Sequence, residues 1–560
     1  MKRLFKKQTA VFLAVCMLLS AFAASAGAAQ TPEKSEASAN KYGLTANISD
    51  GAILHTWCWS FNTIKENLNS IAEAGFSAIQ TSPINEVVVG ENGGMQLYGR
   101  GKWYYQYQPT NYKIGNYQLG TLDEFKAMCS EAHKLGLKVI VDAVVNHCTS
   151  DFNAISDDIK NIPGEAFHPR VEIESWSNRY QVTQGKLTGL YDLNTQNPNV
   201  QQVILNYLKE CLAAGADGFR FDAAKHIELN DDTPVDGHNF AGDFWNVILN
   251  NGAEFQYGEV LQGDGERIEA YAKLMNVTAS NYGKNLRAEL AAGTLKLKAA
   301  GNFAVNDVDK SKLVTWVESH DNYADGSYKT ISNQMVKYGW AVIGAGGDTT
   351  PLFFSRPNNS TASKPWGDNV IGARGDGNYM SAEVAAVNHF RNALVGEPVR
   401  RLNLKDSSGK TNTSVLMVQR GTKGAVIINS SPNDFIVDNS TTVADGTYTD
   451  EVSGTTFTVS GGRMSGRVKA GSIAVIYDKP EPEQGYTVGD VNGDGSVNGS
   501  DAAILSRYTS GWEGYESRIV NMDAADINRD GKVNGMDAAL LSRYTSGWDG
   551  YDKYIIFIAV

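Results

Sequence analysis

Between Gly51 and about residue 399 the sequence switches repeatedly between short apolar runs and longer amphipathic stretches, and this rhythm limits the folds open to it. AILHTWCWSF precedes NTIKENLNSIAEAG, and SAIQTSP follows. TLDEFKAMCSEAHKLG leads into LKVIVDAVVNH, and VQQVILNYLKECLAAG into ADGFRFDAAKH. DFWNVILN then precedes AEFQYGEVLQ, ERIEAYAKLMN precedes VTASNY, and LVTWVESHD and TTPLFFS complete the series. Eight strand candidates with helices between them predict an α/β fold, a (β/α)8 (TIM-type) barrel over residues 43–399 rather than an open sheet. One gap is too long for a loop. Residues 147–197 are expected to form an inserted subdomain.

After residue 400 the pattern changes to short alternating runs such as SVLMVQRG, GAVIINSS, GTTFTVSGG and SIAVIYD, separated by Gly, Asn, Asp and Ser clusters. This predicts an antiparallel β-sandwich domain over 400–478. KPEPEQG lies in a linker, 479–486. Beyond it, DVNGDGSVNGSDAAILSRYTSGW from Asp490 recurs as DINRDGKVNGMDAALLSRYTSGW from Asp526, an internal repeat. At the other end, MKRLFKK, an apolar core and Ala24-Ser25-Ala26 read as an export leader over 1–29, followed by a linker over 30–42.

The net charge of −12 argues against a nucleic-acid or anionic-membrane partner and suits a neutral substrate. After the leader, no apolar run has the length of a membrane span, so no membrane insertion is expected. Cys58, Cys129, Cys148 and Cys211 lack metal-type spacing. They are expected as buried free thiols.

Barrel strands deliver their last residues to one mouth. Those ends here are Asp142, Asn146 and His147, then Arg220 and Asp222, then Glu259, then His320 and Asp321. In GFRFDAAKH, alternation puts Phe219 and Phe221 on one face and Arg220 and Asp222 on the other. A buried pair is costly, so alone it reads equally as a structural ion pair or as part of an active site. Convergent carboxylates at separate strand ends either hold a metal or do acid–base work. Arg220 and His320 oppose a cation, and glycoside hydrolysis, which uses one carboxylate as nucleophile and another as acid, fits better. KWYYQYQPTNY, after the second strand, offers aromatic planes for sugar faces and amides for hydroxyls. At least one of Trp103, Tyr104 and Tyr107 is expected merely to pack the loop.

DAVVNH, GFRFDAAKH, EFQYGEVL and VESHDN resemble the four signature segments of the α-amylase family, glycoside hydrolase family 13, and the likeness to secreted bacterial members covers about residues 43–478. The resemblance implies Asp222 as nucleophile, Glu259 as general acid and then base, and Asp321 as transition-state stabiliser. It implies that Arg220 supports the ionised form of Asp222, that His147 and His320 assist Asp321, that Tyr107 stacks on sugar with Gln108 beside it, and that Lys225 and His226 line the aglycone side; with Trp103 and Tyr104 of the aromatic segment, these residues are the expected substrate contacts. It also implies a structural Ca²⁺ held by Asn146, Asp192 and the carbonyls of Thr183 and His226. Oxygen ligands suit that ion. Chloride-activated members carry Asn where this chain has Ser319, so chloride dependence is not expected.

In the repeat, Asp490, Asn492, Asp494, Ser496 and Asp501 fall at positions 1, 3, 5, 7 and 12 of an EF-hand-type loop, with Gly495 at the turn. The second copy supplies Asp526, Asn528, Asp530, Lys532 (through its carbonyl) and Asp537, with Gly531 at the turn. Each loop runs into a helix with none expected before it. This duplicate, 487–560, resembles a dockerin, a small all-α module that binds two Ca²⁺ and plugs into cohesin-bearing scaffolds; a calcium sensor would want entering helices.

The expectation is a secreted α-amylase with a monomeric catalytic module, cleaving α-1,4 bonds of starch with retention and tethered through cohesin. Its rivals are, within the enzyme class, a transglycosylase or an enzyme preferring short or branched glucans with the same carboxylates and, outside it, a non-catalytic glucan-binding subunit. The last would need a lost carboxylate, and none is lost.

Overall fold

Side-chain alternation decides what fills the barrel. In the computed structural model, which describes residues 41–90, 93–99, 102–479, 485–548 and 550–559, eight parallel strands close in chain order. They are β1 (Ile53–His55), β2 (Ala78–Gln80), β3 (Lys138–Ala143), β4 (Gly218–Phe221), β5 (Phe255–Gly258), β6 (Asn276–Thr278), β7 (Leu313–Trp316) and β8 (Thr350–Phe354), with β1 pairing with β8. Ile53, Ala78, Ile140, Phe255, Val314 and Leu352 form one apolar cluster inside it. Two residues further along β1 to β4 the same face carries His55, Gln80, Asp142 and Arg220, all buried. The opposite face, with Val139, Val141, Phe219 and Phe221, joins the larger core under the helices. Register sets Asp142 beside Arg220, and Arg220 beside Tyr257.

The helices start where the sequence supplies caps. Thr121 and Glu124 make a capping box before Leu122–Lys134, and Asn197 caps Pro198–Ala213 with proline in the first turn. Between β3 and Pro198 the chain forms the antiparallel pair His147–Cys148 and Tyr191–Asp192 and the short helices Asp157–Lys160 and Arg179–Gln184.

Two four-stranded antiparallel sheets follow. Strands β9 (Val399–Lys405), β10 (Thr411–Arg420), β11 (Gly424–Asn429) and β16 (Ser472–Tyr477) form the first, in that order. Strands β12 (Phe435–Ser440), β13 (Gly446–Thr449), β14 (Thr456–Ser460) and β15 (Arg463–Val468) form the second, in the order β12-β15-β14-β13. One face of the first sheet, with Leu416, Val418, Val426, Ile428 and Val475, belongs to the barrel's own core. The other face, with Val415, Met417 and Ile427, packs on Phe435, Val437 and Phe457 of the second sheet.

The C-terminal repeat folds into helices Gly499–Thr509 and Gly535–Thr545, opened by capping boxes from Asn498 with Asp501 and Asn534 with Asp537. Leu505, Leu541, Val491 and Ile527 are their core. Two features depart from the all-helical, loop-first expectation. Gly485–Thr487 pairs with Phe557–Ala559 as a short ribbon, and a one-turn helix, Met522–Ala525, precedes the second loop because Asn521 caps two of its free N–H groups.

All four cysteines are buried and free. No helix among the described residues is long and apolar enough to cross a membrane. The leader (1–29), the segment 30–42 apart from its last two residues, and most of the 479–486 linker lie outside the described residues.

Candidate active site

One guanidinium organises the barrel mouth. Arg220 Nη1 donates to Asp142 Oδ1 and Oδ2 at 2.7 and 2.8 Å and to Asp222 Oδ1 at 2.8 Å, while Nη2 lies 3.0 Å from Glu259 Oε1. Asp222 and Glu259 sit one residue past the ends of β4 and β5, locked in step by Asp222 N–H to Ala143 O and Glu259 N–H to Phe221 O. Ala223, directly after Asp222, adopts φ 51°, the left-handed region that a side chain disfavours. That turn points its N–H at Glu259 Oε2, 3.0 Å away. Local strain thus fixes the second carboxylate.

Asp321 comes from the first turn of helix His320–Ala324. Ser319 caps that turn by accepting the Asn322 N–H, and Asn322 returns the bond. The hydroxyl at 319 therefore has a structural task. The Asp321 carboxylate is partly open to the cleft, 3.4 Å from His320 Nε2. Burial, with the charge of Glu259 second, pushes it up to about 7. Asp142, fully buried, is pushed up to about 7 by burial against the pull of Arg220. Asp222 is raised by burial, with Arg220 opposing. Burial lowers His147 to about 4 and His320 and His226 to about 3, so all three are neutral near pH 7.

These groups face a cleft of about 550 Å³. Asp222, Glu259, Asp321, Trp103, Tyr104, Tyr107, Gln108, His147, Lys225, His226 and His320 all line it. The Tyr107 ring lies parallel to His320, with centroids 5.2 Å apart, and its hydroxyl donates to Asp142 at 2.9 Å. Trp103 meets both rings edge-on. Gln108 accepts from the Thr149 hydroxyl, and a His147 ring nitrogen sits 3.1 Å from Tyr107 O. Arg220, expected both to support the ionised Asp222 and to contact sugar, has its donors on Asp142, Asp222 and Glu259 and is absent from the cleft lining.

Two participants escaped the sequence reading. Asp142 was visible as a strand end, but its role appears only when register sets it against Arg220. Trp176 lines the cleft under the Lys225 ammonium, 5.4 Å from its ring centre, and comes from a stretch with no periodic signal.

Of the residues expected to hold calcium, Asn146 and Asp192 meet directly. Asn146 Nδ2 donates to Asp192 Oδ1 at 3.0 Å, and the other Asp192 oxygen meets His168 Nδ1 at 2.8 Å. A His226 ring nitrogen sits 2.8 Å from Val182 O, and Thr183 O accepts from the Gln184 amide. Burial pushes Asp192 up to about 7, with Glu228 adding to the rise, and Glu228 Oε1 is buried without a partner. In the repeat, Asp490 takes the N–H groups of Asp494 and Gly495, and Asp501 takes those of Val491, Asn492 and Asn498. Asp526 and Asp537 repeat the pattern, and Ser496 and Lys532 donate their N–H groups to Asp494 and Asp530. Asp490 is raised by partial burial and then by Asp501 and Asp494. Among the described residues no three His, Cys, Asp or Glu side chains form a metal-holding cluster.

Residues 60–330 match the family described as alpha amylase, catalytic domain, and residues 488–545 match the dockerin type I domain. The first match spans β4, β5 and the Asp321 helix. Residues 60–330 are an alpha-amylase catalytic domain. An alpha-amylase of Butyrivibrio fibrisolvens is 41% identical over 486 residues, 80% of this chain and 49% of that protein. One of Clostridium acetobutylicum is 37% identical over 495 residues, 85% of this chain and 60% of that protein. The chain thus spans about half to three-fifths of these relatives. Alpha-amylase I of Eisenia fetida, solved as a variant with maltohexaose, aligns with TM-score 0.63 at 20% identity over 78% of this chain and 98% of that one. An alpha-amylase of Geobacillus thermoleovorans, solved with acarbose, aligns with TM-score 0.58 at 18% identity, over 77% and 98%. At such identities the likeness shows the barrel fold and no more.

Proposed function

We propose that the protein is an exported α-amylase that cleaves α-1,4-glucosidic bonds within starch chains, with retention of configuration. The observation that carries this reading is the single Arg220 guanidinium bonded to both Asp222 and Glu259 on the floor of an aromatic-walled cleft. Arg220 favours the ionised form of Asp222 against its burial, which suits a nucleophile. Asp222 attacks the anomeric carbon while Glu259 gives its proton to the leaving glucosidic oxygen. Glu259 then takes a proton from water, which releases the sugar from Asp222. Asp321, open to the cleft beside neutral His320, holds sugar hydroxyls as charge develops. Tyr107 and Trp103 support the ring on the glycone side, and Lys225 and Trp176 flank the leaving group beside Glu259.

Replacing Glu259 by Gln should lower kcat by about 10²-fold or more while glucan binding persists. Proton NMR of the first product should show the α-anomer. An unchanged kcat, or the β-anomer, overturns the reading. Retention further implies Asp222 and Glu259 carboxyl groups about 5–5.5 Å apart.

We also assign a structural Ca²⁺ to Asn146, Asp192 and the Thr183 and His226 carbonyls. A buried, raised Asp192 beside the orphaned Glu228 oxygen supports a missing positive charge there. Like-charged carboxylates wrapped by backbone N–H groups support one Ca²⁺ in each loop of the repeat. Bound there, calcium would supply positive charge and cross-link the loops. Cohesin is the expected partner of the dockerin, and the leader-like N-terminus supports an extracellular, scaffold-tethered enzyme. Ser319, used as a helix cap, gives no support to a chloride site.

A further inference from the structure

The loops after β2 and β8 open on the same end of the barrel as the carboxylates, and they are zipped together. Tyr98 N–H donates to Asn369 Oδ1 at 2.7 Å, Asn369 Nδ2 returns a bond to Tyr98 O at 3.1 Å, and Ile371 N–H donates to Met95 O at 2.9 Å. On this frame the Tyr98 ring lies flat against Trp366, with centroids 5.1 Å apart and planes within 9°. Trp366 is backed by Tyr323, edge-on at 6.0 Å, and by Trp57 at 6.5 Å. Tyr98 is the most exposed ring of the group at 58%, with Trp366 half-buried behind it and Met95 and Val370 also exposed on the two zipped loops. Singly exposed apolar residues are ordinary, whereas exposed apolar groups that lie together mark interaction sites, and here Tyr98, Met95 and Val370 sit on two loops tied to each other.

We propose that Tyr98, backed by Trp366, is a stacking platform for a sugar ring of a linear α-glucan beyond the catalytic cleft. This rests on the α-glucan reading above and extends it to chain-length preference. Continuity with the cleft argues for that occupant. Trp57 touches Trp366 on one side and Trp103 on the other, 5.5 Å away, and Trp103 walls the cleft. Glu259, Lys225 and Trp176 mark the leaving-group side, so the platform extends the glycone side. A sugar ring offers an apolar face of about the area of one phenol ring. The amides of Asn358 and Asn359, gathered on Asp368 in the same loop, provide a polar fringe for hydroxyls. A protein partner would need about 800 Å² on this side, far more than three side chains present.

The test uses full-length protein carrying Glu259→Gln, so that glucans bind without turnover, with Tyr98 kept or changed to Ala, Leu or Phe. Leu keeps apolar cover over Trp366 but removes the plane. Affinities for maltotriose and maltoheptaose are measured by calorimetry, alongside melting temperatures. The ratio of maltoheptaose to maltotriose affinity should fall about three- to tenfold in the Ala and Leu proteins, the size of one aromatic contact, and return with Phe. If Leu matches Tyr, or if both glucans weaken equally at unchanged melting temperature, there is no platform. A parent that binds neither glucan overturns the α-glucan reading itself, which separates the two failures.

Discussion

Arg220 touches three carboxylates that are left to share its charge, and burial raises two of them, Asp142 and Asp222. Activity and stability should therefore respond to pH in opposite directions. Asp222 and Asp321 act as anions in the proposed mechanism, so kcat/KM on a maltooligosaccharide should rise with pH. Its acid limb should lie above the ordinary carboxylate value of about 3.9, because burial raises Asp222 and pushes Asp321 up to about 7. The cleft histidines are already neutral there and do not set that limb. Asp142 has the reverse effect on folding. Its raised pKa gives a stability contribution that is fully present below the unfolded value of about 3.9 and is lost as pH rises through about 7. An acid limb centred near pH 4 would contradict the upward shifts. At this scale much of the site was legible. Asp222 and Glu259 stood at strand ends in the sequence, because a residue's place on a strand is a local property, whereas Asp321, read the same way, comes from the helix turn that follows β7. The work of Asp142 was not legible, because it depends on which strand lies next door.

Elements divide the same way. All eight barrel strands were legible as apolar runs between helical patterns, yet AILHTWCWSF yields a strand only over Ile53–His55. Beyond it the chain leaves the barrel, Thr56 bonding to Gln80 O and Cys58 N–H to Ser82. The zip between the β2 and β8 loops joins residues far apart in sequence and left no periodic trace. Neither did the ribbon that ties Gly485–Thr487 to the C-terminus. The strand pair His147–Cys148 with Tyr191–Asp192 sets Asn146 against Asp192, and that contact hardly exists in an unfolded chain. Calcium at about a hundredfold over its Kd should then add about 2.7 kcal/mol to the folded state. Excess chelator should lower the melting temperature of the wild-type protein clearly and that of an Asp192→Ala variant much less. Equal shifts would remove Asp192 from the ligand set.

For the whole molecule, the barrel and the first β sheet share one core, reinforced by Arg420, whose buried guanidinium donates to backbone carbonyls of Glu397, Ala345 and Leu394. The C-terminal module instead has a core of its own, and its two halves are built alike. Arg507 donates to the Tyr515 hydroxyl at 2.9 Å and lies over Trp512; Arg543 does the same with Tyr551, at 2.9 Å, and Trp548. Trp512 and Trp548 are each 60% exposed, so the likeness extends to the surface a partner would meet. Ser500 and Met536, the second residues of the two helices, break it. A pseudo-symmetric module of this kind should meet one cohesin in either of two orientations. Changing Arg507 or Arg543 alone to Ala should then cost little affinity, because the untouched half still docks, whereas changing both should cost most of it. Titrating cohesin in calcium against the two single variants and the double one, with helicity checked in each, reads the difference. If one single change abolishes binding in a folded module, docking is fixed in one orientation, and the Ser500/Met536 difference becomes the first place to look for what selects it.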